Sequence, residues 1–511
     1  MRKQMLFIFV ILIVIGSSNS IYATIENVHY QLTINEDKST TFTNHMDGYS
    51  VRIPFQAELS FDNFSNIAKL TSIYKNAAVT VMRQRFPLKS YDNSSVYNNY
   101  SHFFLKSSID HQLLFRKKIR LNGYSALITE WKREKLSGVA NDMNYYCHID
   151  LILSKNDIIT FHCKSSRPID RQLWIQMVNR IKLFPATAYR PIRKTELPQN
   201  RILAPETQSF LSQYFSEDSS LTWGIFPVGY PNYKSILENI ESKVDYRFPF
   251  ILTYYGLGSN RDLNSFFQTA KEENRYVEFT LQTSLKQKNH NDIYNLLNGV
   301  FDEEIAILAQ TIKKYERPVL FRLFNEMNGD WCLYSAHHLG LDTDIFKEAY
   351  RYIYRIFEKE GANVYALWVW NPNKDSFPNY LWNSESAYYP GDEYVDIIGL
   401  TAYNTGNYYP GEHWKNFSEL YDDLYQNYVE RYSQPLMITE FASASRGGDK
   451  VNWTWDMLSR IDAMKKIKVA VWWNGADYDV DRSEARTYFI DKPAENLIPF
   501  REYFYKRNKR E

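Results

Sequence analysis

The chain has 511 residues, 44% of them hydrophobic and 23% charged, with 60 Lys and Arg against 59 Asp and Glu. That length excludes a single small module, and that composition excludes both disorder and a multispan membrane protein. Near-neutrality leaves no field to gather nucleic acid or anionic lipid, so a neutral partner is expected.

Arg2 and Lys3 precede an apolar run from Met5 to Ile15, and small residues follow up to Ala23. This pattern predicts a secretory signal peptide over residues 1–23, with an uncleaved anchor as the alternative. Residues 24–184 read as a small α+β domain, an antiparallel sheet with a closing helix. Residues 117–132 form a hairpin around Asn122-Gly123, residues 145–163 form a second, and residues 169–183 are helical. Cys147 and Cys163 stand at mirror positions about Ser154-Lys155-Asn156, on one face with Ile149, Leu151, Ile159 and Phe161. They are either a cross-strand disulfide or two buried thiols, and Cys332 is left single. No constellation of catalytic residues marks this domain, which reads as a spacer or binding accessory.

Pro185, Pro191, Pro198 and Pro205 break any regular element, so residues 185–205 read as a semi-rigid linker. From residue 206 to 505, short apolar runs alternate with amphipathic stretches. Strands are expected at 223–226, 250–254, 277–282, 319–324, 364–370, 395–400, 436–439 and 469–473, with helices among them at 301–315 and 345–360. Eight such units predict a (β/α)8 TIM barrel in an α/β catalytic domain.

The active site of such a barrel lies where its strands end. Glu326 ends the fourth strand and Glu440 the seventh, so the two carboxyl groups can flank one bond, as retaining glycoside hydrolysis requires. Each alone also reads as a surface loop acid. Arg322, four residues before Glu326, is either the cation that keeps a neighbouring nucleophile ionised or half of a structural ion pair. Tyr403 is placed to donate to Glu440 and Asn325 to hold a sugar hydroxyl. Trp331, Trp370, Trp472 and Trp473 offer faces for pyranose rings, although only one of Trp472 and Trp473 can point inward. No C-x-x-C or H-E-x-x-H occurs, so no metal and no cofactor is expected.

Arg322-Leu-Phe-Asn-Glu-Met-Asn-Gly-Asp-Trp331, Trp368-Val-Trp-Asn-Pro-Asn373, Tyr389-Pro-Gly-Asp-Glu-Tyr-Val-Asp-Ile-Ile-Gly-Leu-Thr-Ala-Tyr-Asn404, Ile438-Thr-Glu-Phe441 and Trp472-Trp-Asn474 stand in this order. In these motifs the chain resembles glycoside hydrolase family 26, within the retaining clan. The resemblance covers residues 221–505 and implies Glu326 as general acid/base and Glu440 as nucleophile. One position departs: Asn325 precedes Glu326 where many family members carry His. The expected protein is a secreted retaining endo-β-glycosidase acting as a monomer on a β-mannan or β-glucan class polysaccharide. Its partner is a polysaccharide or oligosaccharide and no nucleic acid, and any association with the cell envelope runs through the first domain. The alternative is a polysaccharide-binding cell-surface protein that has lost activity.

Overall fold

The computed structural model describes residues 23–87, 93–106, 108–199, 201–259, 261–283 and 290–509. The expected signal peptide lies outside the described residues except for Ala23. Eight parallel strands close into a barrel: Thr222–Ile225, Phe250–Gly256, Tyr276–Gln282, Val319–Leu323, Ala366–Trp370, Ile397–Thr401, Leu436–Phe441 and Ile467–Trp472. Each corresponds to one of the runs expected from sequence. The runs are continuously apolar because both faces are covered. Leu252, Leu320, Leu367, Val369, Met437, Val469 and Val471 fill the interior, while Ile251, Phe279, Phe321, Trp368, Ile398 and Ile438 pack beneath the helices. At the end where the strands begin, Phe210 and Tyr214 of the helix Pro205–Tyr214 pack on Phe250 and Tyr276. That plug leaves the opposite mouth for ligand.

The first domain has two antiparallel sheets, of five and seven strands, where the sequence led us to expect one. The additional strands come from residues 23–85, whose patterning is weaker than that of the two hairpins, and from Lys182–Leu183, a short strand at the end of the stretch expected to be helical. Both hairpins are present, as Gln112–Leu121 with Tyr124–Lys132 and Tyr145–Ser154 with Asp157–Ser165. Asn122 (φ 48°) and Gly123 (φ 81°) occupy the left-handed region their two-residue turn requires. The closing helix is Arg171–Asn179. Its Trp174, Met177 and Val178 join one face of the larger sheet, with Cys147, Ile149, Phe161 and Cys163, in a core shared with the smaller sheet. Cys147 and Cys163 are directly opposed in register, and both are free thiols, as is Cys332.

The other face of the larger sheet packs on the barrel, and Met82, Trp131 and Tyr146 belong to the same cluster as the barrel's outer core. This alternation explains why the polar His148, Asp150, His162 and Lys164 are also buried. Lys164 Nζ reaches Asp342 at 2.9 Å and Asp344 at 2.7 Å. Asp342 caps the helix Thr343–Glu360, which follows the loop carrying Glu326. Tyr100 donates to Asp330 of that same loop, and Trp382 Nε1 donates to Ser101 Oγ at 3.1 Å. Between Lys182–Leu183 and Pro205–Tyr214 the described residues form no helix or strand, yet the segment is fastened at Arg190–Asp47 on one side and Arg201–Asp396 on the other. The first domain is thus a buttress for the barrel's fourth loop.

Candidate active site

Glu326 stands on a strained turn. After the fourth strand the chain passes through Phe324 at φ 53° and Glu326 at φ 54°, a conformation costing about 1–3 kcal/mol per non-glycine residue that persists only where the surroundings impose it. The imposing contacts are visible. Glu326 N–H donates to Asn371 O at 2.7 Å, while Asn328 and Asn373 hold each other through Asn373 N–H to Asn328 Oδ1 (2.8 Å) and Asn328 Nδ2 to Asn373 O (2.9 Å). Asn373 Nδ2 then donates to the Glu326 carboxyl, and the neighbouring Trp331 side chain also favours its ionised form.

Glu440 reaches the interior because the seventh strand is bulged. Leu400 pairs with Ile438 but Thr401 pairs with Glu440, so one extra residue is inserted before the glutamate. Ile438 and Phe441 both face the helices, and the bulge turns Glu440 the other way, a common device beside active sites. Inside, Glu440 Oε2 accepts from Arg322 Nη2 at 2.9 Å and from the Tyr254 hydroxyl. Tyr254 in turn accepts from Trp473 Nε1 at 3.0 Å, which leaves its own proton for Glu440. Arg322 is fixed by Thr280 Oγ1 (2.7 Å) and Asn371 Oδ1 (3.1 Å), and its Nε lies 3.2 Å from Glu278 Oε1.

Burial pushes the Glu326 carboxyl up to about 7, and the nearby Glu440 charge adds to the rise against the opposing effects of Asn373 and Arg322. A carboxylic acid still half protonated near neutrality is suited to proton donation. Glu278, wholly enclosed in the barrel, is pushed up to about 8 by the same desolvation, with Arg322 opposing and Glu440 adding.

Several expected site residues are elsewhere. Trp370 is fully buried between Tyr389 and Tyr432, and Trp472 is fully buried against Phe441 and Phe500. Strand alternation aims both toward the helices, so neither offers a face to a sugar. Trp473 is the inward member of its pair, stacked on Phe226 at 5.6 Å and edge-on to Tyr403. Trp331, 51% exposed and 5.8 Å from Phe377, forms an open aromatic rim beside Glu326. Arg322 has no exposed surface and touches Glu440 rather than solvent, so it is a positioning residue and not a substrate contact. Asn325 is 3% exposed, and its Oδ1 is taken by Gln282 Nε2 at 2.7 Å. The tyrosine donating to Glu440 is Tyr254 from the second strand, where Tyr403 had been expected; Tyr403 packs on Tyr488 at 5.1 Å. Tyr254, Asn373 and Glu278 were missed, though each left a trace: a tyrosine at a strand end, an asparagine inside a recognised motif, and a charge within an apolar run.

A sequence profile described as glycosyl hydrolase family 26 matches residues 224–484, half of the chain, including both glutamates. The chain belongs to glycosyl hydrolase family 26. Among curated relatives, Endoglucanase H of Acetivibrio thermocellus is 30% identical over 212 residues, 41% of this chain and 22% of that protein. A mannan endo-1,4-beta-mannosidase of Bacillus subtilis is 34% identical over 109 residues, covering 20% and 29%. Beta-1,3-xylanase TXYA of a Vibrio species is 23% identical over 227 residues, covering 44% and 41%. The match thus spans less than half the length of each of these relatives. Among solved structures, the catalytic domain of the Bacillus sp. JAMB-750 GH26 endo-beta-1,4-mannanase is similar at 17% identity and a TM-score of 0.47, covering 61% of this chain and 93% of that one.

Proposed function

We propose that this chain is a secreted, retaining endo-β-glycosidase that hydrolyses a β-linked polysaccharide of the β-mannan or β-glucan class. The observation that carries the reading is the contrast between two glutamates at strand ends four and seven. Glu326 carries a proton near neutrality, while Glu440 is gripped by a guanidinium and a phenol that fix one of its oxygens. Pairs of carboxyls in such different surroundings divide acid and nucleophile roles.

In the first step Glu326 gives its proton to the glycosidic oxygen as the Glu440 carboxylate attacks the anomeric carbon, and the aglycone leaves as an alcohol. Glu326, now ionised and still hydrogen-bonded by Asn373, takes a proton from water as that water attacks the glycosyl ester. Glu440 departs as a carboxylate, and two inversions give net retention. Arg322 and Tyr254 keep Glu440 in place through both displacements. Trp331, the exposed ring beside Glu326, would supply a face for a pyranose. The neutral overall charge suits an uncharged glycan, and the apolar leader suits export.

Assay of the purified full chain against mannan, mixed-linkage glucan, xylan and cellulose tests this reading. New reducing ends and short oligosaccharides should come from one or more of them. Binding to a glycan without cleavage of any would favour a lectin-like role instead.

A further inference from the structure

A second cluster of titratable groups lies wholly inside the first domain. His148 and Asp150 are alternate residues of one strand and share the face turned toward the barrel. His102 follows the helix Asn93–Ser101 and is packed against them, its ring 5.0 Å from that of His148. None of the three is more than 1% exposed. One donor atom from each lies within 4.8 Å of the other two.

The hydrogen bonds in this cluster do not close. His102 Nδ1 lies 2.9 Å from the Asn98 carbonyl, so Nδ1 carries the proton and Nε2 presents a lone pair. Yet Nε2 has no partner, and neither has Asp150 Oδ2. Asp150 Oδ1 has two neighbours, Thr160 Oγ1 at 2.7 Å and His148 Nε2 at 3.0 Å. The other nitrogen of His148 faces His162 Nδ1 at 3.2 Å. A proton shared between His148 and Asp150 satisfies that pair but leaves the His102 lone pair and the second Asp150 oxygen empty. Two buried acceptors without partners, in a cluster whose ligand atoms lie within 4.8 Å of one another, are what a cation repairs.

We propose that His102, His148 and Asp150 form a structural site for a divalent transition-metal ion of the zinc class. The donors would be His102 Nε2, His148 Nε2 and the Asp150 carboxylate, a set of two imidazoles and one carboxylate that suits zinc. The surroundings have the form of an outer shell. Each histidine's remaining nitrogen has a hydrogen-bond partner, Asn98 O for His102 and His162 for His148, which fixes ring orientation as metal-ligating imidazoles require. Zinc bonds of about 2.0–2.2 Å place tetrahedral donors about 3.4 Å apart, so donors now within 4.8 Å of one another would have to close by up to about 1.4 Å as the ion enters. The ion would tie the end of the helix Asn93–Ser101 to the sheet. That helix carries Tyr100 and Ser101, the contacts to Asp330 and Trp382 on the barrel rim. The site therefore belongs to the buttress and takes no part in the glycosidic chemistry.

The test uses the full chain, stripped by chelator and then titrated with Co2+ and Zn2+. One equivalent of Co2+ should give the visible absorption of a low-coordinate imidazole site, Zn2+ should bleach it, and Zn2+ should raise Tm by several degrees. H102Q and H148Q should each weaken uptake at least tenfold, whereas E326A should leave it unchanged. Should those histidine variants fail to fold, anomalous scattering at the zinc edge from wild-type crystals decides: the peak belongs between His102, His148 and Asp150. A stripped, folded chain that takes up neither ion, uptake unchanged in H102Q and H148Q, or a peak elsewhere would each overturn the proposal.

Discussion

Arg322 Nη2 stands 2.9 Å from Glu440 Oε2 in the barrel interior, with the arginine wholly enclosed and the glutamate nearly so. The same guanidinium lies 3.2 Å from Glu278, so one cation serves two buried carboxyls. Removing one partner from such a group leaves charge without compensation and typically costs about 3–5 kcal/mol. Arg322→Met should therefore lower the denaturation free energy by that order in a urea titration, and Arg322→Lys should not restore activity because it cannot fork between Thr280, Asn371 and Glu440. A Lys variant with full kcat would show that the charge alone is needed.

Tyr254→Phe removes a donor to Glu440 while keeping the ring that packs on Phe226. A hydrogen bond to a charged group is worth about 1.5–3 kcal/mol, so kcat should fall roughly 10- to 100-fold. Steady-state kinetics beside a thermal melt will distinguish this from unfolding: Tm should fall by only a few degrees, leaving the variant folded at the assay temperature.

As the proposed general acid, Glu326, pushed up to about 7, should set the alkaline limb of the pH–rate profile. Above that value kcat/KM should drop tenfold per pH unit, because the general acid has lost its proton. Asn373 holds the value down by bonding the carboxylate, so Asn373→Ala should move the limb to higher pH. A limb that stays in place in this variant would mean that another group titrates.

Glu278 makes stability depend on pH in a definite sense. Its value rises from 4.5 to about 8 on folding, so between those limits the folded chain binds the extra proton. The group's contribution is complete below about pH 4.5 and is lost as pH rises toward 8. Denaturant midpoints measured across that window should decline in the wild type and decline less in Glu278→Gln.

Cys147 and Cys163 face each other as thiols, and burial pushes both well above the ordinary thiol range. Thiol titration of unreduced protein should find three groups in denaturant and essentially none in the folded chain. One group in denaturant would show that the pair is bridged.

The barrel was legible because each strand is an apolar run bounded by turns and helices, and the position of Glu326 and Glu440 at strand ends follows from that alone. What sequence could not supply was direction. Trp370 and Trp472 sit in the right motifs but on the outward phase of their strands, and Glu440 would share that phase without the bulge between Ile438 and Glu440. Bulges leave no reliable trace in residue pattern. Tyr254 illustrates a different limit, because it meets Glu440 only when the barrel closes and brings distant strands face to face. The buttressing role of the first domain was hidden for a similar reason: Lys164 and His148 look like solvent-facing residues of a hairpin until the barrel covers them.

The two glutamate roles are separated most directly by azide rescue on an aryl glycoside with a good leaving group. Such a leaving group departs without acid help, which is otherwise worth roughly 10²–10⁴-fold. Glu326→Ala should form the glycosyl-enzyme and stall, and azide should release a glycosyl azide of retained configuration. Glu440→Ala, lacking the nucleophile, should be inactive on polymer and aryl glycoside alike, and any azide product should be inverted. Reversed configurations in the two variants would exchange the roles, and normal turnover by both would contradict the assignment of this site.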